Sequence, residues 1–321
     1  MMTSKFNGSK NEDYFSTYHP IINFIYFVFV IGVSMFLIHP VFLGIGLCSA
    51  MAYSVLLNGC KKVLKEGLIF MMPLFMVVAL MNPLFNHYGV TVLFYLYNGN
   101  PVTLESMVYG LAMAVMLCEV IIWFQCYNKI MTSDKFIYLF GRVIPGFSLI
   151  LSMCLRFVPR FKNRMKVIRD GQKCIGRDAH NGNVIKRIRQ GITILSILIT
   201  WSLENAIDMA DSMKSRGYGL RGRTAFSIYQ WDGRDKRMLG TMAILVVVFI
   251  VGCGGGFTSA RYNPRIEIQG VPLTPMSMIT FLSYGIFCFL PVMMDMADDK
   301  KWKVRRKNIE HTKQKGYRLW M

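Results

Sequence analysis

What the sequence lacks narrows its reading first. It contains no CxxC pair and no HxxxH spacing, so neither a zinc ribbon nor a helical metal motif is encoded. Its eight cysteines stand singly, mostly inside apolar runs, as at Cys118, Cys154 and Cys288. They read as small core hydrophobes, not as a disulfide framework. Its five histidines (His19, His39, His87, His180, His311) are scattered. No Glu-Glu or His-Glu pair lies within an apolar run to activate water, which argues against an intramembrane enzyme. Acidic residues are scarce: 18 Asp and Glu stand against 37 Lys and Arg, a net charge of +19.

What is present is apolar. The 321 residues are 53% hydrophobic, a content that soluble domains rarely combine with so high a charge. The two are compatible if apolar residues face lipid while basic ones collect outside it. About 20 apolar residues cross the hydrocarbon core. Candidate runs cover 21–39, 41–58, 67–85, 105–124, 237–253 and 273–293. The first follows a polar stretch, is too long for a signal-peptide core and lacks a small-x-small cleavage site, so it reads as a span. The expected fold class is an all-α polytopic membrane protein of about six transmembrane helices. Its expected organisation is an N-terminal bundle of four spans (1–125), a cytoplasmic or interfacial helical insert (126–236), a C-terminal pair of spans (237–296) and a basic cytoplasmic tail (297–321).

Charge orients these spans, because Lys and Arg concentrate in cytoplasmic loops. The stretch "NGCKKVLKEG" (58–67) carries three lysines and falls inside. Connector 86–103 has no Lys or Arg and falls outside, whereas the tail "DDKKWKVRRKNIEHTKQKGYR" belongs inside. Both termini are then expected in the cytoplasm. Connector 254–272, with Arg261 and Arg265 outside, fits this least well. Alternation of Val90, Val92 and Phe94, followed by "NGN", gives connector 86–103 a hairpin character.

The insert is the informative part. "RFVPRFKNRMKVIRDGQKCIGRD" (156–178) has eight Lys and Arg against two Asp, too many charges to cross a bilayer. Phe161, Met165, Ile168 and Ile175 still give it one apolar face. Further on, Ile188, Ile192, Leu195, Ile199, Ser202, Ala206, Met209 and Met213 alternate steps of four and three. That spacing predicts a helix over 184–216, about 50 Å long, and Gly217, Gly219 and Gly222 stop it. Both segments end in an arginine among small or polar residues: Gly176-Arg177-Asp178 and Ser215-Arg216-Gly217. Adsorption to anionic lipid, at about 1 kcal/mol per basic residue, would account for the charge run by itself. A glycine cap and the helix dipole would account for Arg216 by itself. Neither requires two similar cationic tips, whereas bidentate capture of carboxylates in a groove does use them.

These stretches resemble the transmembrane (T) component of energy-coupling factor (ECF) transporters, the CbiQ/EcfT family, ABC-type importers of vitamins and of cobalt or nickel ions. The family carries two short motifs of Ala-Arg-Gly type at the ends of its coupling helices. "ADSMKSRGYGLRGR" (210–223) resembles the second closely, with Ser215-Arg216-Gly217 keeping the small-Arg-Gly pattern. Segment 156–178 resembles the first but departs from it: Ile175 falls near the arginine position, and Arg177 takes the role only with a shift of about two residues.

The resemblance implies a non-catalytic subunit in a prokaryotic plasma membrane. Its arginine tips (Ser215, Arg216, Gly217 and Gly176, Arg177, Asp178) would dock in two cytoplasmic ABC ATPases. Ile188, Ile192, Leu195, Ile199, Ala206, Met209 and Met213 would face the crossing helix or a small membrane-embedded substrate-binding (S) protein. It implies no cofactor on this chain, ATP being bound by the ATPases, and no nucleic-acid partner.

Of two rivals, only the first fits less well. A conventional ABC permease would continue "ENAIDMADSMKSRG" from Glu204 with a Glu-Ala-Ala signature, a spaced Gly and Leu-Pro, and it does not. A membrane receptor or scaffold docking a soluble protein through the same basic helices would look alike in sequence.

Overall fold

The computed structural model describes residues 13–95, 97, 99–176, 184–220, 229–256, 258–270 and 274–318. Among these, helices α1 (Pro20–Phe36), α2 (Pro40–Asn58), α3 (Cys60–Glu66), α4 (Met72–Phe85) and α5 (Leu104–Ile130) precede the insert. Helices α6 (Ser133–Val143), α7 (Pro145–Cys174) and α8 (Val184–Ser215) form it. Helices α9 (Gly233–Gly254) and α10 (Pro275–Arg318) follow. The chain divides into two compact units, one of 1–132 with 229–321 and one of 133–228. The fold is all-α and polytopic, with strand confined to two short hairpins among the described residues.

Among the described residues, six helices are long and apolar enough to cross a membrane: Pro40–Asn58, Cys60–Phe85, Leu104–Ile130, Val184–Ser215, Gly233–Gly254 and Pro275–Trp302. This set differs from the hydropathy reading at two helices, lacking α1 and including α8. Helix α1 has 17 residues, at the short end of the crossing range. Pro40 is the reason, since it biases His39 away from helical backbone and closes α1 early. Helix α8 qualifies by composition, because its middle is apolar all round.

Helices α1 and α2 begin with the same device. Pro20 and Pro40 occupy the first helical position, where no N–H is needed. The preceding histidine closes the cap: His19 Nδ1 accepts from the Ile21 N–H at 3.3 Å and His39 Nδ1 from the Val41 N–H at 3.2 Å. With Nδ1 accepting, the proton of His39 sits on Nε2, which donates to the Gln269 carbonyl at 3.2 Å.

Prolines also shape α3 and α4. Pro73 cannot donate to the Ile69 carbonyl, and the turn Gly67–Met71 widens into a π-helix between them. Pro83 likewise frees the Ala79 carbonyl, and α5 approaches through Gly110, where a Cβ would stand 2.8 Å from that oxygen. Only glycine allows this approach.

The core of this unit is aromatic. Trp123, Tyr26, Tyr53, Phe27, Phe42 and Phe287 are fully buried. Tyr26 stacks on Phe287 with centroids 5.2 Å apart and meets Trp123 edge-on at 6.0 Å, tying α1 to α5 and α10. Its hydroxyl donates to the Cys288 carbonyl at 2.8 Å. Glu119 of α5 is fully buried beside Gly46 of α2 and accepts from the Ser34 hydroxyl of α1. A search for acidic pairs overlooks this lone carboxyl.

At one end of the bundle a short helical turn (Tyr14–Thr17) plugs the helices with Phe15. The Phe15 N–H donates to the Asp295 carboxylate at 3.3 Å, and Tyr53 donates to Asp13 at 2.7 Å. Asp295 is therefore half-buried against the N-terminal turn, not part of a solvated boundary as its position after the last apolar run suggests. Arg234 lies over Tyr18, 4.5 Å from its ring centroid.

At the other end, connector 86–103 holds the hairpin β1 (Val92–Tyr95) and β2 (Pro101–Thr103). Connector 254–272 holds a smaller one, β3 (Ala260–Arg261) and β4 (Glu267–Ile268), which no alternation in the sequence announces.

Candidate functional site

The insert unit is built from α6, α7 and α8, with α6 packed on α7 and α7 on α8. Helix α7 starts at Pro145, ahead of the charged run, because the apolar stretch that precedes Arg156 continues the same helix. Helix α8 runs unbroken through Val184–Ser215, the predicted range to within a residue.

Helices α7 and α8 meet around Trp201. The Phe161 ring packs edge-on against Trp201 with centroids 5.9 Å apart, and the Arg164 guanidinium carbon lies 5.2 Å from the indole centroid. Phe157 extends the cluster, 5.8 Å from Phe161. On α8 the buried residues are Ile194 and Leu198, two turns and one turn before Trp201 on the same side.

The predicted stripe lies elsewhere on α8. Ile188, Ile192, Leu195, Ile199 and Ala206 are exposed, while Met209 and Met213 are half-buried. Trp201, which makes the ring contact to α7, is absent from that stripe. A helix apolar on every side offers several stripes of equal regularity, and only packing selects among them.

The second tip is fully determined. The Gly217 N–H donates to the Lys214 carbonyl at 3.0 Å and the Tyr218 N–H to the Met213 carbonyl at 3.0 Å, with Gly217 at φ +78°. This paired arrangement is a Schellman cap with glycine at its left-handed position. Ser215 turns its hydroxyl back to the Ser212 carbonyl at 2.9 Å. Arg216 stands exposed at the cap itself, with Lys214 drawn toward Asp211 at 4.0 Å. Both partners of that pair are largely in water, where it contributes a few tenths of a kcal/mol. The cap needs no arginine, so the guanidinium is free to bind something else.

The first tip shares the glycine bond and the left-handed glycine. The Gly176 N–H donates to the Lys173 carbonyl at 3.0 Å, and Gly176 adopts φ +73°. The residue at the cap is Ile175, 63% exposed. Arg177 and Asp178, together with Gly222, lie outside the described residues. Ser215, Arg216 and Gly217 thus come together on one tip, and Gly176 marks the other.

A polytopic α-helical membrane protein with a pair of packed helices, each ending in a glycine-capped tip, is the class that fold and site define. No family model matches the chain. Curated relatives do. It is 36% identical over 104 residues to the energy-coupling factor transporter transmembrane protein EcfT of Lactococcus lactis, covering 32% of this chain and 39% of that protein. The same protein of Lactobacillus helveticus is 36% identical over 105 residues, covering 32% and 38%. That of Streptococcus thermophilus is 38% identical over 104 residues, covering 32% and 39%. The chain therefore spans about two fifths of the length of the curated relatives it matches. Over about a third of its length it is similar to the transmembrane components of energy-coupling factor transporters.

Proposed function

We propose that the chain is the transmembrane coupling subunit of an ECF-type ABC importer. The observation that carries this reading is Arg216: an exposed guanidinium at the Schellman-capped end of a 32-residue helix, within a small-Arg-Gly motif. The similarity to EcfT proteins supports it. In this reading both termini are cytoplasmic, the apolar middle of α8 leans through the membrane interface, and the tips of α7 and α8 seat in grooves of two ABC ATPases. Closure of the ATPases on ATP moves the tips, and the rigid helix pair passes that motion to a small membrane-embedded S protein. The exposed apolar residues Ile188, Ile192, Leu195 and Ile199 supply a surface for that protein. The cargo, a vitamin or a cobalt or nickel ion, is bound by the S protein, and hydrolysis belongs to the ATPases.

The test is the affinity of ATPases for the detergent-purified protein and its Arg216 variants. Removing one member of a desolvated charge pair costs about 2–5 kcal/mol. Arg216→Ala weakens docking accordingly, and Arg216→Glu, which opposes carboxylate to carboxylate, abolishes it at that tip. Unchanged docking of ATPases to Arg216→Glu would remove the assignment and favour a receptor that docks some other soluble protein.

A further inference from the structure

The two helix tips share one pattern with a substitution at its centre. Aligned on their glycines, Asp170-Gly171-Gln172-Lys173-Cys174-Ile175-Gly176 matches Asp211-Ser212-Met213-Lys214-Ser215-Arg216-Gly217. Aspartate, a small residue, lysine, a second small residue and the glycine recur in register. The backbone agrees with the sequence. Each glycine donates to the lysine three residues back at 3.0 Å, and each lies at positive φ, +73° and +78°. The reach agrees as well. From the Phe161–Trp201 contact, Ile175 is roughly 21 Å along α7 and Arg216 roughly 22 Å along α8, at 1.5 Å per residue.

Geometry thus makes Ile175 the counterpart of Arg216. Arg177 follows the glycine, the place that Tyr218 holds in the second tip. A single exposed isoleucine is ordinary on a protein surface. One that occupies the apex of a repeated tip, in the place of a guanidinium, is a change of ligand chemistry at that apex.

We infer that Ile175 is the docking residue of the first tip and enters an apolar pocket on one ATPase, while Arg216 enters an acidic pocket on the other. This rests on the reading of both tips as ATPase contacts. The two chemistries are not interchangeable. A guanidinium buried in an apolar pocket has no counter-charge, and an isoleucine against buried carboxylates leaves them unpaired. The chain therefore binds two unlike grooves in one fixed orientation.

The experiment measures, for each ATPase separately, its affinity for the full-length purified protein. The variants are Ile175→Leu, Ile175→Asp, Ile175→Arg, Arg177→Ala and Arg216→Glu. Burying an isoleucine side chain is worth a factor of roughly ten to a hundred in affinity. Ile175→Asp and Ile175→Arg should each lower affinity for the same one ATPase by about that factor, while Ile175→Leu and Arg177→Ala stay near wild type. Arg216→Glu should lose the other ATPase. Tight binding by Ile175→Arg would show the first groove to be acidic and overturn the inference, as would loss on Arg177→Ala with none on Ile175→Asp. Either result leaves the coupling role intact as long as Arg216→Glu still loses an ATPase. If the wild-type protein binds no ATPase, the coupling role itself is refuted and this inference falls with it.

Discussion

The guanidinium carbon of Arg164 lies 5.2 Å from the centroid of the Trp201 indole, joining α7 to α8 near the middle of both helices. The packing of Phe161 on the same indole makes this contact the pivot of the insert. A helix pair transmits motion between its ends only if its crossing point is stiff.

The contact has a measurable value. Cation–π pairs at half-exposed sites contribute about 0.5–1 kcal/mol. A double-mutant cycle with Arg164→Gln and Trp201→Leu, read by thermal unfolding in detergent, should return a coupling energy in that range. Additive effects would show that the pair does not link the helices.

A second prediction concerns the buried carboxyl. A Cβ placed on Gly46 falls on the Glu119 side chain, so Gly46→Ala overpacks the α2–α5 contact. A loss of about 1–3 kcal/mol is expected. Shortening the acid with Glu119→Asp in the same chain should recover part of it. Equal melting temperatures for Gly46→Ala and wild type would contradict the packing described.

His39 sets a pH dependence. Burial holds its pKa below the ordinary value of 6.5, and the Gln269 carbonyl offsets this only in part. A histidine with a lowered folded-state pKa binds its second proton more readily when unfolded. Its contribution is complete above about pH 6.5 and is lost as the pH falls below that value, because protonated Nδ1 can no longer cap Val41. Melting temperatures taken between pH 7.5 and 5 should decline more steeply for wild type than for His39→Asn, which keeps a capping acceptor without titrating. Parallel curves would exclude His39 as the cause.

Gly217 fixes the shape of the second tip. Its φ of +78° suits glycine, and a Cβ there would also stand 3.1 Å from Leu220. Gly217→Ala should cost about 1–2 kcal/mol locally. Faster exchange of the amides at position 217 and at Tyr218, with the bundle unchanged, is the expected signature.

Much of this architecture was legible in residue types. Long apolar runs announced most of the spans. The stepping from Ile188 to Met213, followed by glycines, located α8 almost to the residue. Three features were not legible, each for a physical reason. Trp201 was hidden because α8 is apolar on several sides, so periodicity cannot choose the packed one. The helix end at Ile175 was hidden because no residue type marks it, the cap being defined by the positive φ of Gly176. Glu119 escaped because a lone carboxyl forms no motif, and only burial against Ser34 and Gly46 gives it meaning.

The central claim, that this chain couples cytoplasmic ATPases to a membrane-embedded binding protein, is tested most directly by the composition of its native complex. The protein would be purified in mild detergent from its own membrane, and the subunits and their stoichiometry measured by mass spectrometry. Two ABC ATPase subunits and one small hydrophobic protein per chain are expected, with ATPase recovery reduced by Arg216→Glu. A monodisperse wild-type protein that brings down no ATPase in any detergent would contradict the account.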